Sequence, residues 1–242
     1  MFIDSHCHLD RVDLSPFSNS LSEYLEATKA DSLEHMLCVS INWEDYPAMR
    51  DLVNGFANIS TSVGVHPNEM DGHDPSVDEL VDIALKDQVV AIGETGLDYS
   101  RIEKETEVHT QQQRFRHHIR AAKKIDKPII IHTRDAKQDT IRIMQEESAG
   151  ECAGVLHCFT EDWEMAKQAL DLGFYISFSG IVTFKNAKQV QEVAKKVPND
   201  RFLINYPNYV KYVAEKMAEL RGLSLDATAQ MSAKNYSTLF DR

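Results

Sequence analysis

The sequence lacks the features that mark membrane-spanning, exported and disulfide-stabilised proteins. Its 242 residues contain no run of 18 apolar residues, so no transmembrane helix is expected. The first residues carry neither a basic region nor a long apolar segment, which argues against a Sec-type signal peptide and predicts a cytoplasmic protein. The four cysteines are widely scattered and need no pairing, as is usual for reduced cytosolic thiols.

Several catalytic motifs are also missing, and positive charge is scarce. There is no G-x-x-x-x-G-K-[ST] loop, no G-x-G-x-x-G fingerprint and no G-x-S-x-G elbow, so nucleotide-driven, hydride-transfer and serine-hydrolase functions lack support. The net charge of −12 opposes general binding to nucleic acid or anionic membranes. Bound divalent cations would reverse the field inside a cleft, so a metal-dependent enzyme acting on phosphates is compatible with this charge.

Short β-branched runs alternate with stretches of helical character along the chain. The predicted strands are Phe2–Ser5, Met36–Ser40, Ile59–Val65, Val89–Glu94, Pro128–His132, Gly154–His157, Phe174–Ser177 and Arg201–Ile204. The predicted helices between them include Val77–Leu85, Glu105–Lys124, Ala136–Glu147, Trp163–Leu172 and Lys188–Lys196. Such alternation implies βαβ crossovers and a parallel sheet. Eight units favour a single-domain (β/α)8 barrel over residues 1–242, and a doubly wound open sheet is the alternative.

Two further patterns concern the helices. Gly222 is suited to end a helix, and Ser224 to begin a last one that runs to about Phe240. His117 and His118 are expected on the polar face of the Glu105–Lys124 helix, where neither would take part in a site.

Polar residues close most of the predicted strands. They are His6 and His8 on the first strand, His66 on the third, Glu94 on the fourth, His132 on the fifth and His157 on the sixth. In a (β/α)8 barrel the carboxyl ends of all strands converge on one mouth, where the sites of this fold are built. Five histidines and one carboxylate are therefore predicted to lie together.

The first strand carries a pattern suited to metal binding. Because side chains alternate along a strand, His6 and His8 point the same way and can chelate one ion. Cys7 points the opposite way and should pack against the helices. In isolation such a pair could equally be a surface pair, and only its place at a strand end favours ligands.

The later strands extend this pattern. Glu94 ends a run that should be buried, and a buried carboxylate requires a cation, which a metal would supply. His132 and His157 end neighbouring strands, which favours ligands over two hydrogen-bonded core histidines. Arg134 should lie beside the mouth, either as a bidentate phosphate contact or in a surface salt bridge.

Six stretches together resemble the TatD family of metal-dependent deoxyribonucleases, within the amidohydrolase superfamily of (β/α)8 barrels, and especially its bacterial cytoplasmic branch. They are residues 2–10 (F-I-D-S-H-C-H-L-D), 63–67 (V-G-V-H-P), 91–99 (A-I-G-E-T-G-L-D-Y), 128–136 (P-I-I-I-H-T-R-D-A), 154–159 (G-V-L-H-C-F) and 175–181 (Y-I-S-F-S-G-I). The resemblance spans nearly the whole chain.

This resemblance implies a two-metal site and a nuclease. His6 and His8 would bind one metal, Glu94 would bridge two, and His132 and His157 would complete the ligand shell of the second metal. His66 would lie beside the reacting phosphate, so the catalytic residues are expected to be Glu94, His66 and Arg134. The two divalent ions could be Zn²⁺, Mg²⁺ or Mn²⁺, which this ligand set does not distinguish. The expected substrate is DNA, as single strands or ends attacked by an exonuclease, with no membrane and no obligate protein partner.

One departure from the family pattern keeps other functions open. The family carries an Asp after the eighth strand, in an E-T-D-[SA]-P-like stretch followed by a loop, whereas here Ile204 is followed by Asn205-Tyr206-Pro207. We therefore predict that a native segment is absent from this sequence at the Ile204–Asn205 junction. If it is truly absent from the protein, a non-catalytic metal-binding scaffold becomes the alternative.

A third possibility is another amidohydrolase-type enzyme acting on a lactone, ester or cyclic amide. Many barrels of that type carry a carbamylated lysine on the fourth strand. Glu94 at this position favours the nuclease branch.

Overall fold

The strands follow each other in chain order around one barrel in the computed structural model, which describes residues 1–29, 32–205 and 209–240. They are β1 (Phe2–Cys7), β2 (Leu33–Cys38), β3 (Ile59–Val63), β4 (Val89–Asp98), β5 (Ile129–Arg134), β6 (Gly154–Leu156), β7 (Tyr175–Phe178) and β8 (Phe202–Ile204). Each strand pairs in parallel with the next. Between β8 and β1, a side-chain bond from Ser5 Oγ to the Ile204 carbonyl (2.9 Å) joins the edges. The predicted (β/α)8 barrel is confirmed, and the open sheet is excluded.

Helices surround the barrel and return the chain from the end of each strand to the start of the next. They are α1 (Leu21–Lys29), α2 (Tyr46–Val53), α3 (Val77–Ala84), α4 (Glu105–Ile125), α5 (Lys137–Glu146), α6 (Trp163–Asp171), α7 (Lys188–Lys196), α8 (Val210–Arg221) and α9 (Leu225–Phe240). The predicted helices agree with these bounds to within one or two residues, and α1 and α2 were not predicted. No helix in the described ranges combines the length and the apolar character needed to cross a membrane.

The apolar side chains form two separate cores. One lies between the strands and the surrounding helices. The other fills the barrel with residues such as Leu37, Ile130 and Leu203, and it continues into Tyr236 and Leu239 of α9. Since successive strand residues point to opposite faces, each strand feeds both cores.

Helix α9 closes the amino-terminal end of the barrel. Asn235 donates to the carbonyl of Phe202 at the start of β8 (2.8 Å), and the Tyr236 ring lies 5.4 Å from that of His35 near the start of β2. The opposite end, where the strands finish, is therefore the open mouth.

The predicted helix boundaries near the end of the chain are confirmed. Gly222 ends α8 with φ of +65°, a conformation that glycine adopts without steric cost. The Ser224 hydroxyl accepts from the Ala227 amide at 3.1 Å, which satisfies one of the free donors at the start of α9.

The prediction for His118 is wrong. This side chain is fully buried, because position 118 falls on the same helical stripe as Phe115 and Ile119. Its Nδ1 donates to the Arg114 carbonyl (2.8 Å), and its Nε2 accepts from the Val65 amide (3.1 Å). The imidazole thus fastens α4 to the segment after β3.

The strand ends also differ from prediction, most of all at β4, which continues four residues past Glu94 to Asp98. The second difference concerns the end of β8, where a missing segment is predicted. Ile204 pairs with Phe178, and the backbone amide of Asn205 donates to the Phe178 carbonyl (3.1 Å). The β7–β8 ladder therefore extends through the Ile204–Asn205 junction of this sequence, and the absence of a native segment at this junction stays a prediction. Residues 206–208, which follow, lie outside the described residues.

Candidate metal centre at the barrel mouth

Glu94 lies at the centre of the predicted cluster and is 2% exposed. Its Oε2 is 3.2 Å from His6 Nε2. Its Oε1 is 2.6 Å from His157 Nε2, 3.2 Å from His132 Nδ1 and 3.6 Å from His66 Nε2. The barrel thus brings together side chains from β1, β4, β5 and the segments after β3 and β6, as the strand-end pattern predicts.

His6 and His8 are both prepared to accept a cation. The Nδ1–H of His8 donates to the Val39 carbonyl (2.9 Å), which leaves the lone pair of Nε2 free. The Nδ1 of His6 is buried without a hydrogen-bond partner among the described residues, whereas its Nε2 faces Glu94 Oε2. Burial and the neighbouring His157 lower the pKa of His6 to about 3, so this imidazole is neutral at physiological pH.

These two histidines and Glu94 fit a divalent ion. One ligand atom from each lies within 4.8 Å of the others, and imidazoles and a carboxylate are ligands that Zn²⁺ or Mn²⁺ accepts. An orphaned imidazole nitrogen inside a protein is costly, and a bound cation would satisfy it.

His132 lies between two carboxylates. Its Nδ1 faces Glu94, while its Nε2 is 3.2 Å from Asp98 Oδ2. Burial alone would lower the pKa of His132, but Asp98 and Glu94 outweigh burial and raise it to about 9. Metal-binding histidines commonly donate their second N–H to a carboxylate, and Asp98 supplies that partner.

His66 is arranged differently from the other histidines. The backbone amide of Asn68 donates to His66 Nδ1 (3.1 Å). The proton of the neutral imidazole is therefore on Nε2, which faces Glu94. Burial lowers the pKa of His66 to about 4, although Glu94 opposes this shift. His66, Glu94 and His132 are close enough to form a second metal group. The tautomer nevertheless favours His66 as a hydrogen-bond donor, because a protonated nitrogen has no lone pair for a metal.

The imidazoles around Glu94 keep its carboxylate ionised. Burial raises its pKa, but His157, His6 and His132 together outweigh burial and lower it well below the ordinary value. His157 stacks on His6 with ring centroids 3.8 Å apart, and its Nδ1 is buried with no hydrogen-bond partner in the described part of the chain. The buried carboxylate therefore attracts cations into a pocket of imidazoles.

Asp98 is one of the site residues that sequence reasoning missed, together with Asn68 and Arg101. It is buried, and its Oδ2 accepts from Asn68 Nδ2 (2.9 Å) as well as facing His132. If the fourth strand had been predicted to extend to residue 98, the pattern would have indicated Asp98, since positions 94 and 98 share one strand face.

A cavity of about 710 Å³ opens onto Glu94 and carries three arginines, Arg11, Arg101 and Arg134. Arg11 lies at the limit of ion pairing, 3.8 Å from Asp10 and 3.9 Å from Asp45. Neither Arg101 nor Arg134 forms an ion pair within the described ranges. The same cavity is lined by Glu69, Glu94 and Asp98, so the guanidinium groups of Arg101 and Arg134 would favour an anionic ligand once bound cations neutralise these carboxylates.

Two remaining positions bear on the sequence analysis. Cys7 is 1% exposed and donates to the Leu37 carbonyl (3.3 Å), so it packs between elements as predicted. Beyond the end of β8 the chain supplies a neutral amide, Asn205, whose Oδ1 accepts from Ser177 Oγ (2.6 Å).

Comparisons with known proteins agree with this architecture. The family profile described as "TatD related DNase" matches residues 3–241. The uncharacterized metal-dependent hydrolase YcfH of Escherichia coli is 44% identical, over 98% of this chain and 95% of its own length. The putative deoxyribonuclease TATDN3 of mouse is 26% identical, over 99% of this chain and 88% of its own.

A solved structure shows the same fold. The TatD homologue YJJV of Escherichia coli superposes with a TM-score of 0.89 at 23% identity, covering 100% of this chain and 98% of that one. The alignment with YcfH extends over 255 positions, more than the 242 residues of this chain, so that relative has residues without a counterpart here.

Proposed function

Since this chain belongs to the TatD family of metal-dependent hydrolases, we propose that it hydrolyses phosphodiester bonds of DNA, as an exonuclease with two divalent ions. The observation that carries the proposal is the surrounding of buried Glu94 by four imidazoles, at the base of a cavity lined by three arginines. Metal ligands and phosphate-binding groups thus meet in one place.

The proposed ligand assignment follows the distances to Glu94. His6 and His8, with Glu94, would hold one ion, and His132 and His157, which lie 3.2 and 2.6 Å from Glu94 Oε1, would hold the other. Bound divalent ions supply a water of lowered pKa and stabilise charge on the reacting phosphate. Asp98 keeps His132 oriented for this task.

The remaining polar residues act on the substrate. The Nε2–H of His66 is free to donate to a phosphate oxygen, because Asn68 already occupies Nδ1. Arg134 and Arg101 bind the phosphates through bidentate contacts at the mouth. These guanidinium groups favour a polyanion over a neutral lactone or cyclic amide, and the name of the mouse relative supports DNA.

Cleavage of end-labelled oligonucleotides tests the proposal. We expect shortening of single-stranded DNA with Zn²⁺, Mg²⁺ or Mn²⁺ and none with EDTA, and the labelled end reports the direction of attack. His6→Ala and His132→Ala should each lower the rate on the order of a hundredfold, since each loses one ligand of the proposed centre. His117→Ala, a half-buried histidine of α4, is the matched control and should retain the wild-type rate.

If the protein binds metal but leaves the oligonucleotide uncleaved with every metal tested, the proposal is contradicted. Equal, small effects of all three histidine substitutions would contradict it as well.

A non-catalytic metal-binding scaffold is the second candidate. The observation that favours it is Asn205, a neutral amide at the end of β8 where the family pattern has an Asp. The number of bound ions per chain separates the two, because two ions support catalysis and one or none supports the scaffold.

A further inference from the structure

A second cavity, of about 350 Å³, adjoins the proposed metal centre on the side of β7 and β8. It shares His8, His157, Cys158 and Ile181 with the arginine-lined cavity, so the two meet along these side chains. A ligand whose phosphate lies at the metal centre can therefore extend into both.

The chemistry of the second cavity contrasts with that of the first. Among the described residues that line it there is no aspartate, glutamate, lysine or arginine. Its wall away from the histidines is formed by Gly180, Ile181 and Phe184, with the Asn205 amide on the β8 side. Such a cavity suits an uncharged group with a flat apolar face.

Phe184 is the unusual residue of this wall, because its large apolar side chain is 58% exposed. The four other exposed large apolar residues of the described chain, Met1, Leu85, Tyr209 and Tyr212, line neither cavity.

The backbone around Phe184 is held firmly. Gln191 of α7 donates to the carbonyls of Val182 (3.0 Å) and Phe184 (2.9 Å), and the Phe184 amide donates to Ile181 (3.1 Å). The ring therefore stands on fixed backbone at the rim, which lowers the entropic cost of stacking a ligand on it.

We propose that this cavity is the subsite for the nucleobase attached to the scissile phosphate, with Phe184 as its stacking surface. The inference rests on the proposed function, since it assumes a nucleotide chain at the metal centre. A nucleotide joins a charged phosphate to an uncharged flat ring, and the two cavities provide a charged and an uncharged compartment at the shared histidines. Because every base has a π-face, stacking of this kind accepts all four bases.

Equilibrium binding tests the subsite independently of cleavage. The fluorescence anisotropy of a labelled single-stranded oligonucleotide with hydrolysis-resistant linkages would be measured with the metal-loaded protein, beside an abasic oligonucleotide of equal length and linkage. Phe184→Ala should raise the Kd of the base-bearing strand about tenfold, a typical value for one lost stacking contact, and leave that of the abasic strand unchanged. Phe184→Trp should restore the affinity. Leu85→Ala, which removes an equally exposed apolar side chain outside both cavities, is the matched control.

Two results would overturn the subsite: an unchanged Kd for both strands, or an equal rise for both. Failure of the proposed function looks different. If wild-type protein binds the base-bearing strand through Phe184 but never cleaves it with any metal, the nuclease proposal fails and the subsite stands.

Discussion

At the scale of single residues, the mouth depends on buried ionisable groups that satisfy each other only in part. Glu94 is enclosed by imidazoles, and a lone buried carboxylate in such a place would be strongly destabilising. His8 and His66 show that the identity of the second hydrogen-bond partner decides the chemistry. A carbonyl on Nδ1 leaves His8 with a free lone pair, whereas an amide on Nδ1 leaves His66 with an N–H.

Replacement of Glu94 should abolish two-metal binding. Glu94→Ala removes the carboxylate that approaches both proposed ligand sets, so bound cations would lose the negative charge that the two sets share. We expect fewer than one ion per chain by elemental analysis, with the circular dichroism spectrum unchanged because both cores lie below the mouth. Glu105→Ala, at an exposed carboxylate of α4, should keep the wild-type metal content. Undiminished metal in Glu94→Ala would exclude Glu94 as a ligand.

His118 should make the protein sensitive to acid. Burial lowers the pKa of His118 to about 3 from its ordinary 6.5, although its hydrogen bond to the Arg114 carbonyl partly opposes this. Between these two values the unfolded chain takes up a proton at His118 and the folded chain does not. The neutral His118 side chain therefore contributes fully to the free energy of unfolding above pH 6.5, and this contribution is lost as the pH falls toward 3.

Urea unfolding with and without this histidine measures the effect. From about pH 6 to about pH 4, wild-type protein should lose roughly 2 kcal/mol more of its unfolding free energy than His118→Gln does. Both proteins are compared without metal, so that the ligands at the mouth contribute equally. Parallel curves for the two proteins would show that His118 is not the buried neutral group described.

At the scale of elements, the two ends of the barrel have different tasks. The strand ends carry the polar groups of the mouth, and β4 contributes both Glu94 and Asp98 because it continues past the first of them. The opposite end is closed by α9, whose apolar face completes the inner core. The Ser232 hydroxyl accepts from the Ile204 amide (3.1 Å), which ties this helix to the same strand as Asn235 does.

Loss of Asn235 should weaken this closure. Its side-chain amide donates to the carbonyls of Asn199 (2.9 Å) and Phe202 (2.8 Å), which Asn235→Ala would leave unsatisfied. We expect the free energy of unfolding in urea to fall by about 2 kcal/mol, the usual cost of stranded buried polar groups. Lys234→Ala, at an exposed neighbouring position of the same helix, should change it little. Equal midpoints and slopes for the two variants would contradict this role for Asn235.

At the scale of the whole molecule, the barrel is built without metal and the mouth is adapted to it. The two apolar cores contain none of the imidazoles of the site, so we expect folding not to require an ion, unlike that of a zinc finger. The net charge of −12 belongs to the whole chain, whereas three arginines are gathered at the mouth together with Glu69, Glu94 and Asp98. Attraction of the proposed anionic substrate would therefore be a local property of the cavity and its bound cations.

Metal should stabilise the folded chain without being needed for it. Zn²⁺ at about 100 times its Kd adds about 2.7 kcal/mol to the unfolding free energy, which corresponds to a rise of roughly 5–10 °C in Tm for a chain of this size. EDTA should reverse the rise and still leave one cooperative transition in calorimetry. The Glu94→Ala variant should show no such response. Loss of the folded state in EDTA at room temperature would contradict a metal-independent barrel.

The sequence by itself determined the architecture and most members of the site. Strand–helix alternation predicts the barrel because each unit buries one face and crosses over in the same way, and strand-end polarity predicts His6, His66, Glu94, His132 and His157 because barrel strands finish at one mouth. Only the tertiary structure decided the rest. Asp98 was missed because hydrogen bonding to β5, and not local composition, extends β4.

The same holds for the roles of the histidines. Nothing in the residues flanking His118 distinguishes a buried group from a solvated one, since its partners lie on another turn and at Val65. The tautomers of His8 and His66 depend on Val39 and Asn68, which contact them only in the folded chain. Periodicity determines which face a side chain occupies, but the proton on an imidazole is placed by the atoms that tertiary packing brings to it.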